Sequence, residues 1–174
     1  MQRLGAGGGD RKAPMPETAS TQGTQRNFLV FRLGSDEFGL PIEAIDEVAQ
    51  VPEQITRLPR TPKFLEGVVN LRGDVLPVID QRRRFEMPAP DAMQGRRLVV
   101  VRTERHRAGL IVDSVSDVVD LDAAAIKPPP ALSGHAHSRF IQGLANVDNG
   151  MLILLNVEAL VSQDLRSGSA SRAA

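Results

Sequence analysis

The chain repeats itself once, and a duplication constrains a fold more than any single motif can. Lys63-Phe64-Leu65-Glu66-Gly67-Val68-Val69-Asn70 returns 76 positions later as Arg139-Phe140-Ile141-Gln142-Gly143-Leu144-Ala145-Asn146. Val75-Leu76-Pro77-Val78-Ile79-Asp80 returns at the same offset as Met151-Leu152-Ile153-Leu154-Leu155-Asn156. A second pair is offset by 70: Leu29-Val30-Phe31-Arg32 with Gly39-Leu40 matches Val99-Val100-Val101-Arg102 with Gly109-Leu110. Two copies are too few for a stacked array, which needs at least three repeats to bury a continuous core. The repeat therefore predicts a pseudo-symmetric pair of small subdomains.

Local patterning predicts a mainly β protein. Phe28 to Leu33 is a short apolar run of β propensity. The turn chemistry of Gly34-Ser35-Asp36-Glu37 follows, with Phe38-Gly39-Leu40 as the returning strand. Pro41 is expected to open a short helical turn, because Ile42, Ile45 and Val48 recur at a three-residue spacing. Val68 to Leu71 and Val75 to Ile79 flank Arg72-Gly73-Asp74, a hairpin signal with Gly where a positive φ is needed. Pro77 inside the second of these runs argues for an edge position or a bulge. In the second copy, Leu98 to Val101 and Ala108 to Val112 flank a turn at Thr103 to Arg107, and Asp148-Asn149-Gly150 precedes the strand Met151 to Leu155. Pro128-Pro129-Pro130 and the Ser/Gly/His stretch after it read as an irregular linker. Asn156 and Asp80 are each placed to cap a short helix. Short strands separated by turns, with a few small helices, indicate two little β-barrels.

Residues 1–26 are rich in Gly, Pro, Ser, Thr and Gln and offer too little apolar surface to offset the entropy of ordering, so a disordered tail is expected there. The folded part is expected over 27–165, with a second small polar tail over 166–174. The 21 basic and 21 acidic residues cancel, which removes the electrostatic footprint of a general phosphate-backbone binder. The six aromatic residues are all Phe, leaving little on which bases could stack. The absence of Cys excludes disulfides, thiolate metal sites and a Cys nucleophile. No secretory signal and no run of 18 apolar residues is visible, so a cytoplasmic protein is expected.

From Leu58-Pro59-Arg60-Thr61-Pro62-Lys63-Phe64-Leu65-Glu66-Gly67 through Val68-Val69-Asn70-Leu71-Arg72-Gly73 and Leu76-Pro77-Val78-Ile79-Asp80, the chain resembles the CheW family of chemotaxis coupling proteins. So do Gly109-Leu110-Ile111-Val112-Asp113-Ser114-Val115, Ile141-Gln142-Gly143 and the strand after it, and the resemblance extends over about residues 27–162. It implies two five-stranded, SH3-like β-barrel subdomains packed together through an apolar interface. It also implies a non-catalytic adaptor, without cofactor, recruited to membrane-associated receptor arrays. The implied partners are the cytoplasmic tip of a chemoreceptor (a methyl-accepting protein) and the regulatory domain of a CheA-type histidine kinase, with no nucleic acid and no insertion into the membrane. The chain departs from the family pattern at Glu47-Val48-Ala49-Gln50, where members commonly carry a basic or bulky residue.

Arg72 is the leading candidate for partner binding. A turn tip exposes its side chain while the flanking strands fix it, and a guanidinium can make a two-pronged contact with a carboxylate that Lys cannot copy. In the family the matching Arg pairs with the residue corresponding to Glu47. The bland alternative is a turn Arg held by a weak surface ion pair. Ile45, Val48, Val68 and Leu71 would line an apolar groove beside the pair, into which a receptor helix could lay its apolar stripe. Ordinary core positions explain these aliphatics equally well. His135 and His137 lie two apart in the linker and, like His106, lack the Cys or acidic partners of a tetrahedral site, so solvated histidines are expected and no metal. Ser114, Asp113 and Asp117 have no His at a motif spacing, and no Gly-x-Ser-x-Gly, Walker or His-Glu-x-x-His motif occurs, so no enzyme is expected. Arg82-Arg83-Arg84 and Arg96-Arg97 would carry the alternative of an RNA-binding β-barrel; a same-fold scaffold in a pilus or surface-sensing pathway is a further alternative.

Overall fold

The computed structural model describes residues 25–130, 138–148 and 150–161. Ten strands fall into two five-stranded sheets. They are β1 Gln25–Leu33, β2 Asp36–Pro41, β3 Ile45–Gln50, β4 Leu65–Leu71, β5 Asp74–Asp80, β6 Arg97–Arg102, β7 Arg107–Val112, β8 Ser114–Asp122, β9 Ile141–Val147 and β10 Gly150–Leu155. A four-residue helix, α1 (Gln81–Arg84), follows β5, and a second helical turn, α2 (157–161), follows β10. The strand orders are β8-β1-β2-β10-β9 and β3-β6-β7-β5-β4.

The two orders are the same order written twice. The repeat equates β1 with β6, β2 with β7, β4 with β9 and β5 with β10, and position in the sheet equates β3 with β8. Each sheet therefore joins the first hairpin of one copy to the last three strands of the other. β3, β4 and β5 leave their own hairpin and join β6 and β7, while β8, β9 and β10 return to β1 and β2. The equivalence extends to single residues. Gly67 lies opposite Val78 and Gly143 opposite Leu154; Asn70 lies opposite Val75 and Asn146 opposite Met151. The backbone N–H of Asp80 donates to the Phe64 carbonyl at 2.8 Å, and that of Asn156 donates to the Phe140 carbonyl at the same distance.

The continuous apolar runs of β1 and β6 are explained by burial on both faces of the strand. In β1, Phe28 and Val30 face the small core inside their own sheet, with Leu121, Ala145, Leu152 and Leu154. Leu29, Phe31 and Leu33 face the other way, into a larger core shared with Val99, Val101, Ala108, Leu110 and Val112 of the second sheet. In β6, Leu98 and Val100 repeat the inward role against Val69, Leu76, Val78 and Ile111. Phenyl rings continue this interface: Phe31 stacks on Phe38 at 5.5 Å between centroids, and Phe38 on Phe85 at 5.6 Å. The Arg84 guanidinium lies over Phe64 at 4.6 Å and over Phe140 at 4.3 Å.

Several expectations change in detail. Neither sheet closes into a hydrogen-bonded barrel, since no ladder joins β3 to β4 or β8 to β9. Closure is reduced to one residue on each side, where Thr56 exchanges backbone hydrogen bonds of 2.9 and 2.8 Å with Val68, and Lys127 exchanges two of 2.8 Å with Leu144. The helical turn expected after Pro41 is only the 3₁₀ turn Ile42–Ala44. Ile45 and Val48 belong to strand β3, where alternate burial replaces the three-residue period. β5 is an internal strand, but its parallel pairing with β7 begins at Val78, so Pro77 falls on the stretch paired on one side only. β1 starts at Gln25, opposite Asp122. The capping expectations hold: Asp80 Oδ1 accepts from the N–H of Arg82 at 3.0 Å, and Asn156 Oδ1 from that of Ala159 at 3.0 Å. The two polar tails, Asn149 and His135–His137 lie outside the described residues, apart from the start of β1.

Gly67 is the position where the crossing segment leaves no space. Its φ is +148°, and a Cβ there would stand 2.2 Å from the Thr56 carbonyl oxygen. Gly67→Ala should therefore lower unfolding free energy by roughly 2–4 kcal/mol, combining backbone strain with a broken bridge. Gly73→Ala, at φ +90° but with open space around it, should cost only about 1 kcal/mol. Urea melts of the two variants check the difference, and equal losses would contradict the role given to the Thr56 bridge.

Candidate partner-binding site

Leu71 and Asp74 face each other across β4 and β5, leaving Arg72 and Gly73 as a two-residue loop. Their φ values are +54° and +90°, the pattern of a type I′ hairpin turn. The sequence places a positive φ at Gly73; the structure shows that Arg72 needs one too. Holding a long side chain in the left-handed region costs about 1–2 kcal/mol, so this turn carries local strain. Asn70 offsets part of it, its Oδ1 accepting from the Gly73 N–H at 3.1 Å.

The Arg72 side chain is 74 % exposed, yet it is oriented. Its Nε donates to Glu47 Oε1 at 3.0 Å, and its terminal nitrogen approaches the same oxygen at 3.0 Å. Glu47 comes from β3, the far edge of the same sheet, so the pair spans the mouth left by incomplete closure. A bulge puts Glu47 there: Ile45 pairs with Val101 and Glu47 with Val100, leaving Asp46 extra. Asp46 accepts from Arg107 at 2.7 Å and pairs with Arg102 at 3.0 Å, while Arg107 also reaches Asp74 at 2.6 Å. Three arginines and three carboxylates thus meet at one end of the sheet. Asp46, Asp74, Arg102 and Arg107 escape a reading of the sequence, because only the exchange of strands brings their segments together.

The four aliphatic candidates separate. Val48 is 42 % exposed and stands free on β3. Ile45 is half-buried and packs on the shared core. Leu71 packs on the core within its sheet. Val68 lines a surface depression with Pro52, Gln54 and Val75, whose side chain is exposed. Val68 and Val75 thus share one depression near the Arg72 turn, while Val48 is exposed outside its lining and Ile45 and Leu71 pack inward.

Four of the five arginines in the basic clusters are engaged, Arg97 being the exception among the described residues. Arg82 makes a two-pronged contact with Asp113, at 2.8 Å through Nε and 2.6 Å through its terminal nitrogen. Arg83 pairs with Glu66 at 2.9 Å, Arg84 lies between two phenyl rings, and Arg96 pairs with Asp80 at 3.0 Å with both side chains buried. A phosphate backbone would have to compete with each of these contacts. Among the described residues no group of three His, Cys, Asp or Glu side chains could hold a metal ion. His106 is part of the β6–β7 turn, its N–H donating to the Thr103 hydroxyl at 3.0 Å. No helix among the described residues is long and apolar enough to cross a membrane.

The model of the CheW-like domain matches residues 27–165. The chain belongs to the CheW-like domain family. It is 34 % identical over 139 residues to chemotaxis protein CheW of Klebsiella aerogenes, a match covering 80 % of this chain and 83 % of that protein. It is 33 % identical over 151 residues to protein FrzA of Myxococcus xanthus, covering 86 % of this chain and 93 % of that one. The crystal structure of the scaffolding protein TtCheW from Thermoanaerobacter tengcongensis superposes with a TM-score of 0.71 at 36 % identity, covering 78 % of this chain and 86 % of the other. The mainly β, SH3-like pair of subdomains expected from the resemblance is the fold observed.

Asp113 sits between β7 and β8 and ties the two sheets together. Besides Arg82 it accepts from the Gly34 N–H at 2.8 Å, in the β1–β2 turn of the other sheet. The Arg82 hydrogen bonds, more than the Gly34 N–H, hold the Asp113 carboxyl below the usual carboxylate range against the opposing effect of burial. A depressed folded pKa means that the unfolded chain binds the proton more readily. The contribution is thus complete above the unfolded value of about 3.9 and is lost as pH falls through the folded value. Asp113→Ala should destabilise by about 2–3 kcal/mol at neutral pH, leaving Arg82 without its partner. The gap between the stability curves of Asp113→Asn and the parent chain should begin to narrow as pH falls below about 3.9 and close only past the depressed folded value, where both carry a neutral side chain. Chemical melts across pH test this; a constant gap down to pH 2 would contradict it.

Proposed function

We propose that this chain is a non-catalytic adaptor that couples chemoreceptors to a CheA-type histidine kinase in the cytoplasm, recruited there to membrane-associated receptor arrays. The observation that carries the reading is the family match across the whole folded unit, together with relatives named chemotaxis protein CheW and a solved neighbour described as a scaffolding protein. The receptor tip would meet the surface made by Val48, Val68 and the Arg72–Glu47 pair, with Ile45 and Leu71 supporting it from beneath. The kinase regulatory domain would meet other surfaces of the two sheets. Such contacts can be weak one at a time, because linked sites in an array raise effective concentration without new contacts.

Arg72 suits a recognition role on physical grounds. An exposed ion pair contributes only about 0–1 kcal/mol to folding, less than the strain of the left-handed backbone beneath it, so stability alone does not account for an Arg at this turn. A partner that excludes water from the pair would strengthen it, and truncating one member of an interface charge pair costs about 2–5 kcal/mol of affinity. Arg72→Glu should melt within a few degrees of the parent protein yet fail to support receptor control of the kinase in reconstituted arrays. Arg72→Lys should be partly active, since it keeps the charge and loses the two-pronged geometry. Normal control by a well-folded Arg72→Glu protein would remove the site from this reading, and equal loss of folding and control would make Arg72 structural.

A further inference from the structure

A cavity of about 540 Å³ opens at the opposite end of β4 from the Arg72 turn. By strand rise the two places are about 20 Å apart. Four cations line it: Arg57, Arg60 and Lys63 from the segment after the Thr56 bridge, and Arg83 from α1. Glu66 is the one carboxylate in the lining, so the cavity holds a formal excess of three positive charges in a chain whose net charge is zero. Glu66 is also already engaged, accepting from Arg83 at 2.9 Å and approaching Arg57 at 3.8 Å. Arg83 donates in addition to the Lys63 carbonyl at 3.3 Å, which fixes the loop rim against the helix rim. Among the described residues Arg60 and Lys63 have no ion-pair partner.

We infer that this cavity binds a small, multiply charged phosphate-bearing anion of the pyrophosphate type. Cations crowded around one space repel each other, and an evolved surface usually intersperses the signs. Glu66 cannot balance four cations and is shared by Arg83 and Arg57, which leaves Arg60 and Lys63 as the main contacts for a diphosphate that carries several charges on one compact group. Guanidinium groups match tetrahedral phosphate oxygens in two-pronged fashion, and two rims can grip such a group from opposite sides. Leu58, Pro62 and Leu65 add an apolar wall, as ligand cavities of a few hundred Å³ commonly have, on which an organic portion of the ligand could rest. The site is separate from the Arg72 surface, and its existence does not depend on the adaptor reading.

The test is calorimetric titration of the full chain with sodium pyrophosphate at constant ionic strength, with citrate as a carboxylate of comparable charge. Saturable binding at one site is expected, weakening as salt is raised because the cations are exposed. Arg60→Ala combined with Lys63→Ala removes two exposed side chains and should leave thermal melting unchanged while lowering affinity by at least about tenfold. Arg72→Glu should bind pyrophosphate normally, so failure here and failure of the coupling site are separately visible. The inference is overturned if the parent chain shows no saturable pyrophosphate binding. It is also overturned if citrate binds as tightly, or if the double variant binds undiminished.

Discussion

Each sheet can form only with strands from both copies of the repeat, and the rest of the structure depends on that constraint. A copy on its own would leave its first hairpin, β1–β2 or β6–β7, without the strands that complete its sheet. The exchange also explains why the two central hairpins are apolar on both faces. One face closes the small core within a sheet, and the other joins the core shared between sheets. Residues at that junction carry specific rather than generic contacts. Arg84 lies between phenyl rings from the two copies, and Asp113 reaches from the end of one hairpin to the turn of the other. Folding of the two sheets is therefore expected to be one cooperative event, because the sheet containing β1 and β2 is built from both ends of the chain around the contiguous Ile45–Val112 sheet, and the two share one core.

A rigid frame of this kind lets a strained turn persist. The left-handed backbone at Arg72 survives because β4 and β5 are fixed on both sides, β5 by β7 and β4 by the Thr56 bridge. Incomplete closure then serves the same end. A sheet closed through a full ladder between β3 and β4 would have no mouth to span. Here the Arg72–Glu47 pair spans it, flanked by the Asp46–Arg107–Asp74 bridge, and the charges at this end are balanced. Glu47 and Asp46 are mostly covered while Arg72 and Arg102 are exposed, so the carboxylates hold these guanidinium groups in a fixed orientation at the surface.

The fold was legible in the sequence wherever a residue's role is set by backbone needs. Asp80 and Asn156 mark helix starts, and the offsets of 76 and 70 pair strands of like position, whereas Gly67 and Gly143 showed in the sequence only as a repeated glycine and their close crossing is a finding of the structure. β3 and β8 were not legible, because they are edge strands whose exposed residues dilute the alternation. The exchange of strands between copies left no trace in the pattern either, since a swapped and an unswapped arrangement bury the same residues. The Arg72–Glu47 pair was legible through family resemblance. Its surroundings were not: Asp46 acquires its role from a bulge, and Arg107 from the meeting of three strands. Whether Ile45 and Leu71 supported the surface or formed it was likewise a matter of packing, which the residue types alone leave open.

The central claim is that the Arg72–Glu47 pair exists for a partner rather than for the fold. A double-mutant cycle on Glu47 and Arg72, measured once in urea unfolding and once in affinity for a reconstituted receptor–kinase complex, tests it most directly. The account predicts a coupling energy within about 1 kcal/mol in unfolding and about 2 kcal/mol or more in binding. A coupling that is large in unfolding and absent in binding would contradict it.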